Sequence, residues 1–262
     1  MFGLNAYSAP RELDQAYELL VKDKKNVILG GLLWMKMGKK QYHTGIDLKH
    51  LGLDQIRDDG DHIDIGAMVR LRQVEKSRIL RDNFGPIFAR AFAPIVGIQF
   101  RNLATMGGSV FGRFGFSDVI TALMALDARV TLYKAGEMAL ADFLDLPRKR
   151  DILVNIRIPK KRGSATFQSL RKTATDFSLL NLGLARCDGV WRISVGGRPS
   201  KACLAPETAA LLPENPGKDQ IRTACDHLSQ EVGFGTNARG SAQYRQAMVK
   251  VLLDRGIKEI CR

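Results

Sequence analysis

The 262-residue chain is expected to fold as an α+β protein, on three observations. A short apolar run at residues 27–29 and an alternating run at 128–133 read as strands. Apolar residues also recur at helical spacing, at Leu13, Ala16, Tyr17 and Leu20 and again at Met248, Val251 and Leu252. Two glycine pairs, Gly30-Gly31 and Gly107-Gly108, stand beside apolar runs, where the lack of a Cβ serves a turn or a close backbone approach.

In chain order, Ser8-Ala9-Pro10-Arg11-Glu12-Leu13 reads as the start of a helix with proline near its first turn. Val27, Ile28 and Leu29 form a short buried strand that runs into Gly30-Gly31 and then Leu32, Leu33, Trp34 and Met35. Residues 63–69 are a strand with a glycine turn. Arg101-Asn102-Leu103-Ala104-Thr105-Met106-Gly107-Gly108-Ser109 and Phe114-Gly115-Phe116-Ser117-Asp118 follow, closed by an apolar helix over 119–126. Residues 128–133 alternate like a half-exposed strand, and 152–159 make another. Beyond Pro159 a strand passes into a turn over 167–177, and a helix beginning near Tyr244 and Arg245 ends the chain.

The stretch from Thr105 to Asp118 is the most informative. Gly107 and Gly108 can take positive φ and bring backbone N–H groups close to a diphosphate. Thr105 and Ser109 can add hydroxyl donors. Asp118 stands at the mouth of a helix, where it either caps that helix or accepts from sugar hydroxyls. A lone glycine pair is a turn; the whole string argues for a loop that wraps a nucleotide-type cofactor.

These residues resemble the R-N-x-A/G-T-I-G-G-N/S-x(8)-D signature of the FAD subunits of molybdenum hydroxylases, the xanthine dehydrogenase and aerobic carbon monoxide dehydrogenase family. The spacing from Thr105 to Asp118 matches without a gap. The upstream Gly30-Gly31 resembles the family's second glycine loop, and Phe167 to Phe177 resembles the F-x(3)-R/S-R/K-x(3)-D-[FIL] string that opens its C-terminal domain. Val195-Gly196-Gly197-Arg198-Pro199 and the 237–245 segment resemble that domain's turn and helix, in structural roles.

The resemblance implies an FAD-binding domain of PCMH or vanillyl-alcohol-oxidase type over residues 1–160, built of two α/β subdomains at about 1–55 and 56–160. A C-terminal domain of antiparallel sheet and helices, of the carbon monoxide dehydrogenase flavoprotein type, is implied over 161–262. It implies FAD contacts at Leu29, Gly30, Gly31, Leu32, Leu33, Thr105, Gly107, Gly108, Ser109, Ser117, Asp118 and Lys172. Arg171, Lys172 and Asp176 either tune the flavin or form a surface ion pair. Valine at Gly31 or Gly108 is expected to abolish flavin binding and leave the fold intact, and Asp118→Ala to weaken FAD binding with little effect on the apo-protein.

Two departures count against full cofactor contact. Leu32 stands where relatives carry Thr or Asn, and Gly112 and Phe114-Gly115 replace a Thr and a Ser-Pro pair. A subunit that kept the fold and lost its flavin is therefore an alternative.

Composition suits a globular chain large enough to bury a core, with 45% hydrophobic residues. No apolar run approaches the ~20 residues that span a bilayer, and the N-terminus lacks a secretory pattern, so a cytoplasmic location is expected. Four scattered cysteines and four histidines show no ligand spacing, so no metal is assigned and the cysteines are expected to be reduced, partly buried thiols. Asp47 and His50, three apart, read as a surface contact. The net charge of +13 suggests nucleic-acid binding or a basic face for an acidic partner or anionic cofactor. Against the former, no nucleic-acid module is matched.

The resemblance finally implies a division of labour. A molybdopterin subunit oxidises substrate, an iron–sulfur subunit with 2Fe–2S clusters relays electrons, and this chain passes them through FAD to NAD+ or another acceptor. No G-x-G-x-x-G fingerprint names that acceptor.

Overall fold

The computed structural model describes residues 2–262. The first unit is a three-stranded parallel sheet of order β1-β3-β2. It comprises β1 (Gly3–Ser8), α1 (Leu13–Lys22), β2 (Val27–Leu29), α2 (Leu33–Lys36) and β3 (Gln41–Asp47). The segment around Ser8, expected to begin a helix, is strand instead: Ser8 pairs with Ile46, and α1 starts at Leu13. The residue before a proline favours extended backbone, so Ala9-Pro10 links strand to helix rather than opening the helix.

Helix α1 buries Ala16 and Leu20 against the sheet. Its C-terminal carbonyls are gathered by one side chain from far along the sequence. Arg150 donates to the carbonyls of Asp23 and Lys24 at 3.0 Å, of Asn26 at 2.8 Å, and of Leu20. A basic side chain placed there satisfies groups that a helix end leaves open.

The second unit carries β4 (Ile56–Asp58), β5 (His62–Gly66), α3 (Leu71–Lys76), α4 (Arg78–Phe84), α5 (Ile87–Phe92), α6 (Ile98–Arg101), α7 (Met106–Phe111) and α8 (Asp118–Ala125). It continues through β6 (Arg129–Leu132), β7 (Gly136–Ala139), α9 (Leu140–Asp145) and β8 (Leu153–Pro159). Its five strands, ordered β4-β5-β8-β6-β7, are all antiparallel to their neighbours.

The third unit is a four-stranded antiparallel sheet, β12-β11-β10-β9, with helices packed on it. Its elements are β9 (Gly163–Leu170), β10 (Leu180–Cys187), β11 (Val190–Gly196), β12 (Cys203–Leu204), α10 (Pro206–Ala210), α11 (Lys218–Glu231) and α12 (Ala242–Ile260). Residues 180–185 of β10 are all buried, because α8 covers one face and α12 the other.

The helix–sheet approach is close enough to require small residues. A Cβ on Gly183 would lie 2.7 Å from the Thr121 carbonyl oxygen on α8, and one on Gly196 would lie 2.2 Å from Thr121 Oγ1. Ser194 Oγ donates to that same carbonyl at 2.7 Å. Helix α8 is thereby held on the third sheet, which fixes where its N-terminal Asp118 stands.

Arg245, buried at the start of α12, donates to the carbonyls of Leu179, Gly197, Gly235 and Gly240 and to Asn237 Oδ1. This bears on the +13 charge. Arg70, Arg113, Arg148, Arg150, Arg186, Arg198 and Arg245 all spend guanidinium donors on backbone carbonyls. Part of the excess positive charge therefore has a structural use.

Candidate cofactor site

The three units meet at a cleft of about 530 Å³, within the size range of small-molecule sites. The loop after β2 forms one wall with Gly30, Leu32, Leu33 and Trp34. The segment through α7 forms another with Thr105, Gly107, Gly108, Ser109 and Phe114. Arg171, Asp176 and Phe177 close it from the third unit, and Met68, Leu71, Ile95 and Phe100 make an apolar floor.

The two glycine pairs do different work. Gly31 has φ of +72°, and a Cβ on it would lie 2.3 Å from the Leu103 carbonyl oxygen. Leu32 follows with φ of +65°, an uncommon conformation for a residue with a side chain. Among the described residues the N–H groups of Gly31, Leu32 and Leu33 have no backbone acceptor. Free N–H groups on a turn of this kind suit an anion.

Gly107 and Gly108 were expected in a positive-φ loop with N–H groups turned to a diphosphate. They lie instead in the first turn of α7, with helical backbone. Gly107 N–H donates to the Ala67 carbonyl at 2.7 Å, and Gly108 N–H to Thr105 Oγ1 at 3.1 Å, so both donors are committed. Glycine is needed here for packing. A Cβ on Gly107 would lie 2.8 Å from the Ala67 carbonyl oxygen, and one on Gly108 would lie 3.1 Å from that of Gly30. Ser109 also turns inward, donating its hydroxyl to the Thr105 carbonyl at 2.9 Å.

Asp118 anchors the polar end of the cleft. Its carboxylate accepts from Ser178 Oγ at 2.5 Å, Asn181 Nδ2 at 2.7 Å and Arg171 Nη2 at 2.5 Å. Asn181 in turn accepts from Thr121 at 2.9 Å. The helix cap is not Asp118 but Ser117, whose Oγ accepts from Ile120 N–H at 3.2 Å. Three acceptor positions of about four on a carboxylate are used, which leaves room for one more donor.

Arg171 is held at two of its three nitrogens. Nη2 meets Asp118 and Nη1 donates to the Asp176 carbonyl at 2.5 Å, while Nε is buried with no partner. An unsatisfied buried donor costs about 1–3 kcal/mol, a cost that a ligand acceptor would relieve. The Asp176 carboxylate pairs with Arg239 at 2.5 Å, and that hydrogen bond holds it below the ordinary carboxylate range. Free N–H groups at one loop, an orphaned guanidinium donor at the other end and an apolar floor between fit a ligand that joins a diphosphate, hydroxyls and a flat ring system.

Comparison with known proteins decides which ligand family this is. Residues 1–161 match the FAD binding domain in molybdopterin dehydrogenase, and residues 165–260 match the CO dehydrogenase flavoprotein C-terminal domain. The chain belongs to the FAD-binding medium subunits of the molybdenum hydroxylase family. It is therefore an oxidoreductase flavoprotein subunit.

Among its relatives, the nicotine 6-hydroxylase medium subunit of Paenarthrobacter nicotinovorans is 24% identical, over 97% of this chain and 96% of that one. The glyceraldehyde dehydrogenase medium chain of Sulfolobus acidocaldarius is also 24% identical, over 97% and 98%. The fold is that of a chain of carbon monoxide dehydrogenase from Hydrogenophaga pseudoflava, with TM-score 0.88 and 22% identity over 97% of this chain and 96% of that one. Quinoline 2-oxidoreductase from Pseudomonas putida 86 gives TM-score 0.86 and 20% identity, over 98% and 96%.

Of the positions expected to touch FAD, this medium subunit brings Gly30, Leu32, Leu33, Thr105, Gly107, Gly108, Ser109, Ser117 and Asp118 to the cleft, with Arg171 and Asp176. Leu29, Gly31 and Lys172 do not line it. Leu29 is buried in the sheet, Gly31 packs on Leu103, and Lys172 is exposed. Nor do the Arg171 and Asp176 side chains form the surface pair that the sequence allowed, since the Arg171 guanidinium meets Asp118 and the Asp176 carboxylate meets Arg239. The residues missed were aromatic. Trp34, Phe114, Phe116 and Phe177 gather at the cleft, and the only sequence signal was Phe114, which falls where the resemblance expects a polar residue.

Proposed function

We propose that this subunit holds FAD in the cleft between its three units and passes electrons from a partner iron–sulfur subunit to NAD+ or another acceptor. Bound FAD would supply a carrier that takes up electrons singly or in pairs. The reading rests on one observation: Leu32 and Leu33, whose N–H groups have no acceptor, and the Asp118–Arg171 pair line the same cleft. In this reading the N–H groups of Leu32 and Leu33 hold the diphosphate, Asp118 accepts from a sugar hydroxyl, and the apolar floor carries the ring and keeps water away. Arg171 and Asp176 tune the pocket beside the flavin, and the chain divides into domains near residues 55 and 160.

A molybdopterin-binding subunit and a subunit with 2Fe–2S clusters complete the assembly. The described residues contain no group of three or more His, Cys, Asp or Glu side chains able to hold a metal. No described helix is long and apolar enough to cross a membrane, in keeping with the proposed cytoplasmic location. The second reading, a flavin-less subunit, is favoured by Leu32 and Phe114, which replace polar contacts. Nucleic-acid binding has only the +13 charge behind it.

Co-purification under native conditions tests the proposal. The subunit should travel with an iron–sulfur protein and a molybdopterin protein, and about 1 M salt, which cuts the screening length to ~3 Å, should release it if charge holds the assembly. The FAD-loaded chain alone should oxidise no purine, aldehyde or heterocycle; substrate-dependent dye reduction by the metal-free chain would overturn the division of labour.

A further inference from the structure

Four rings from three distant segments meet over the cleft. Trp34 comes from α2, Phe114 and Phe116 from the turn before α8, and Phe177 from the turn after β9. Trp34 lies 5.3 Å from Phe114 and 5.8 Å from Phe177, nearly stacked on the latter at 26°. Phe114 stacks on Phe116 at 5.3 Å and 17°, and Phe116 meets Phe177 at 4.3 Å. Every ring touches at least two others.

The cluster is not a buried core. Trp34 is 41% exposed, the three phenylalanines are partly exposed, and all four line the cleft. Strained backbone also sits beside it. Leu32, two residues before Trp34, has φ of +65°, and Arg113, next to Phe114, has φ of +48°. Val96, on the same cleft, has φ of +50°, which is unfavourable for a β-branched residue. Strain of this kind persists where surrounding structure over-determines it, and it gathers at ligand clamps.

Leu32 ends the turn that presents Trp34, and Arg113 sets the backbone that presents Phe114. We propose that Trp34, Phe114, Phe116 and Phe177 form a stacking clasp for a flat aromatic ring of the bound dinucleotide. Aromatic faces suit this role because a flat ring meets them in offset or tilted contact, and the contact adds to simple burial. The proposal rests on the FAD reading of the cleft. It makes these four residues determinants of cofactor retention in this chain.

The test is titration of the full-length apo-subunit with FAD, FMN and ADP, on wild type, Trp34→Phe, Trp34→Leu and Phe114→Ser, with thermal melts of each apo-protein. An aromatic contact of this size corresponds to about tenfold in affinity. Trp34→Leu and Phe114→Ser should each weaken FAD about tenfold, and Trp34→Phe should restore most of the affinity. A purely space-filling role would let leucine serve as well as phenylalanine. Loss carried by FMN places the isoalloxazine in the clasp; loss carried by ADP places the adenine there. Equal affinities for Trp34→Leu and Trp34→Phe, with FAD still bound, would overturn the clasp and leave the FAD reading standing. Wild type that binds no FAD would overturn both. Wild-type FAD affinity in Phe114→Ser would also reject the proposal, whatever its melting temperature.

Discussion

Arg171 and Asp118 meet at 2.5 Å across the join between the second and third units, with side chains only 8% and 6% exposed. Because Ser178 and Asn181 also donate to Asp118, this carboxylate belongs to the fold as much as to the cleft. The sequence alone suggested that Asp118→Ala would spare the apo-protein. The structure reverses that. Removing one partner of a buried pair leaves the other charge uncompensated, at about 3–5 kcal/mol. Asp118→Ala should lower apo stability in denaturant melts by about that much, besides weakening FAD. A wild-type melting curve would show that the pair contributes nothing to the fold.

The glycine loops make a graded prediction. At Gly31 a side chain meets both positive φ and the Leu103 carbonyl at 2.3 Å, so Gly31→Val should destabilise the apo-protein outright rather than leave it intact. At Gly108 the nearest atoms stand at 3.1 and 3.2 Å, a milder crowding. Gly108→Ala should cost about 1–3 kcal/mol, the range of overpacked sites, and keep the fold. Thermal melts of the two variants check the order, which fails if Gly108→Ala proves the more damaging.

Arg101, the arginine of the Arg101-Asn102 motif, is buried and bonds Glu75 at 2.7 Å and the Ile95 carbonyl at 3.0 Å. It ties the cleft-lining 95–105 segment to α3. Burial works to raise the Glu75 carboxyl, but hydrogen bonds from Arg101 and Arg72 outweigh it, so the net shift is downward. A carboxylate with a depressed folded value adds stability above its unfolded value, near 4.3, and loses it as pH falls through the lower folded value. Arg101→Met should destabilise by about 3 kcal/mol at pH 7, and the gap to wild type should close on acidification. A gap independent of pH would mean packing alone sets the loss.

The thiols should separate by burial. Cys261, at the end of α12, is exposed rather than partly buried as expected. Burial pushes the thiols of Cys187 and Cys203 above their ordinary value and that of Cys225 up to about 11. Since only the thiolate attacks, a disulfide reagent at pH 8 should label Cys261 first and Cys225 last in the native protein. Mass mapping that finds Cys225 modified as fast as Cys261 would contradict this.

Much of the architecture was legible because its signals are local. The apolar run Val27–Leu29 stands where its pattern put it, the 152–159 strand where the resemblance put it, and the Thr105-to-Asp118 string does lie on the cleft. What was not legible depends on partners far along the chain. Nothing local says that Gly107 N–H is taken by Ala67, that Ser117 rather than Asp118 caps α8, or that Arg150 closes α1 from more than 120 residues away. The aromatic cluster is the clearest case. Phe114 looked like a departure from a pattern and Phe177 like a match to one, and only the fold makes them neighbours of Trp34.

The most direct check on the central claim is the visible absorption spectrum of the purified chain after incubation with excess FAD and removal of free cofactor. One flavin per chain, with the two visible flavin bands, is predicted. A folded chain that emerges colourless would contradict the account.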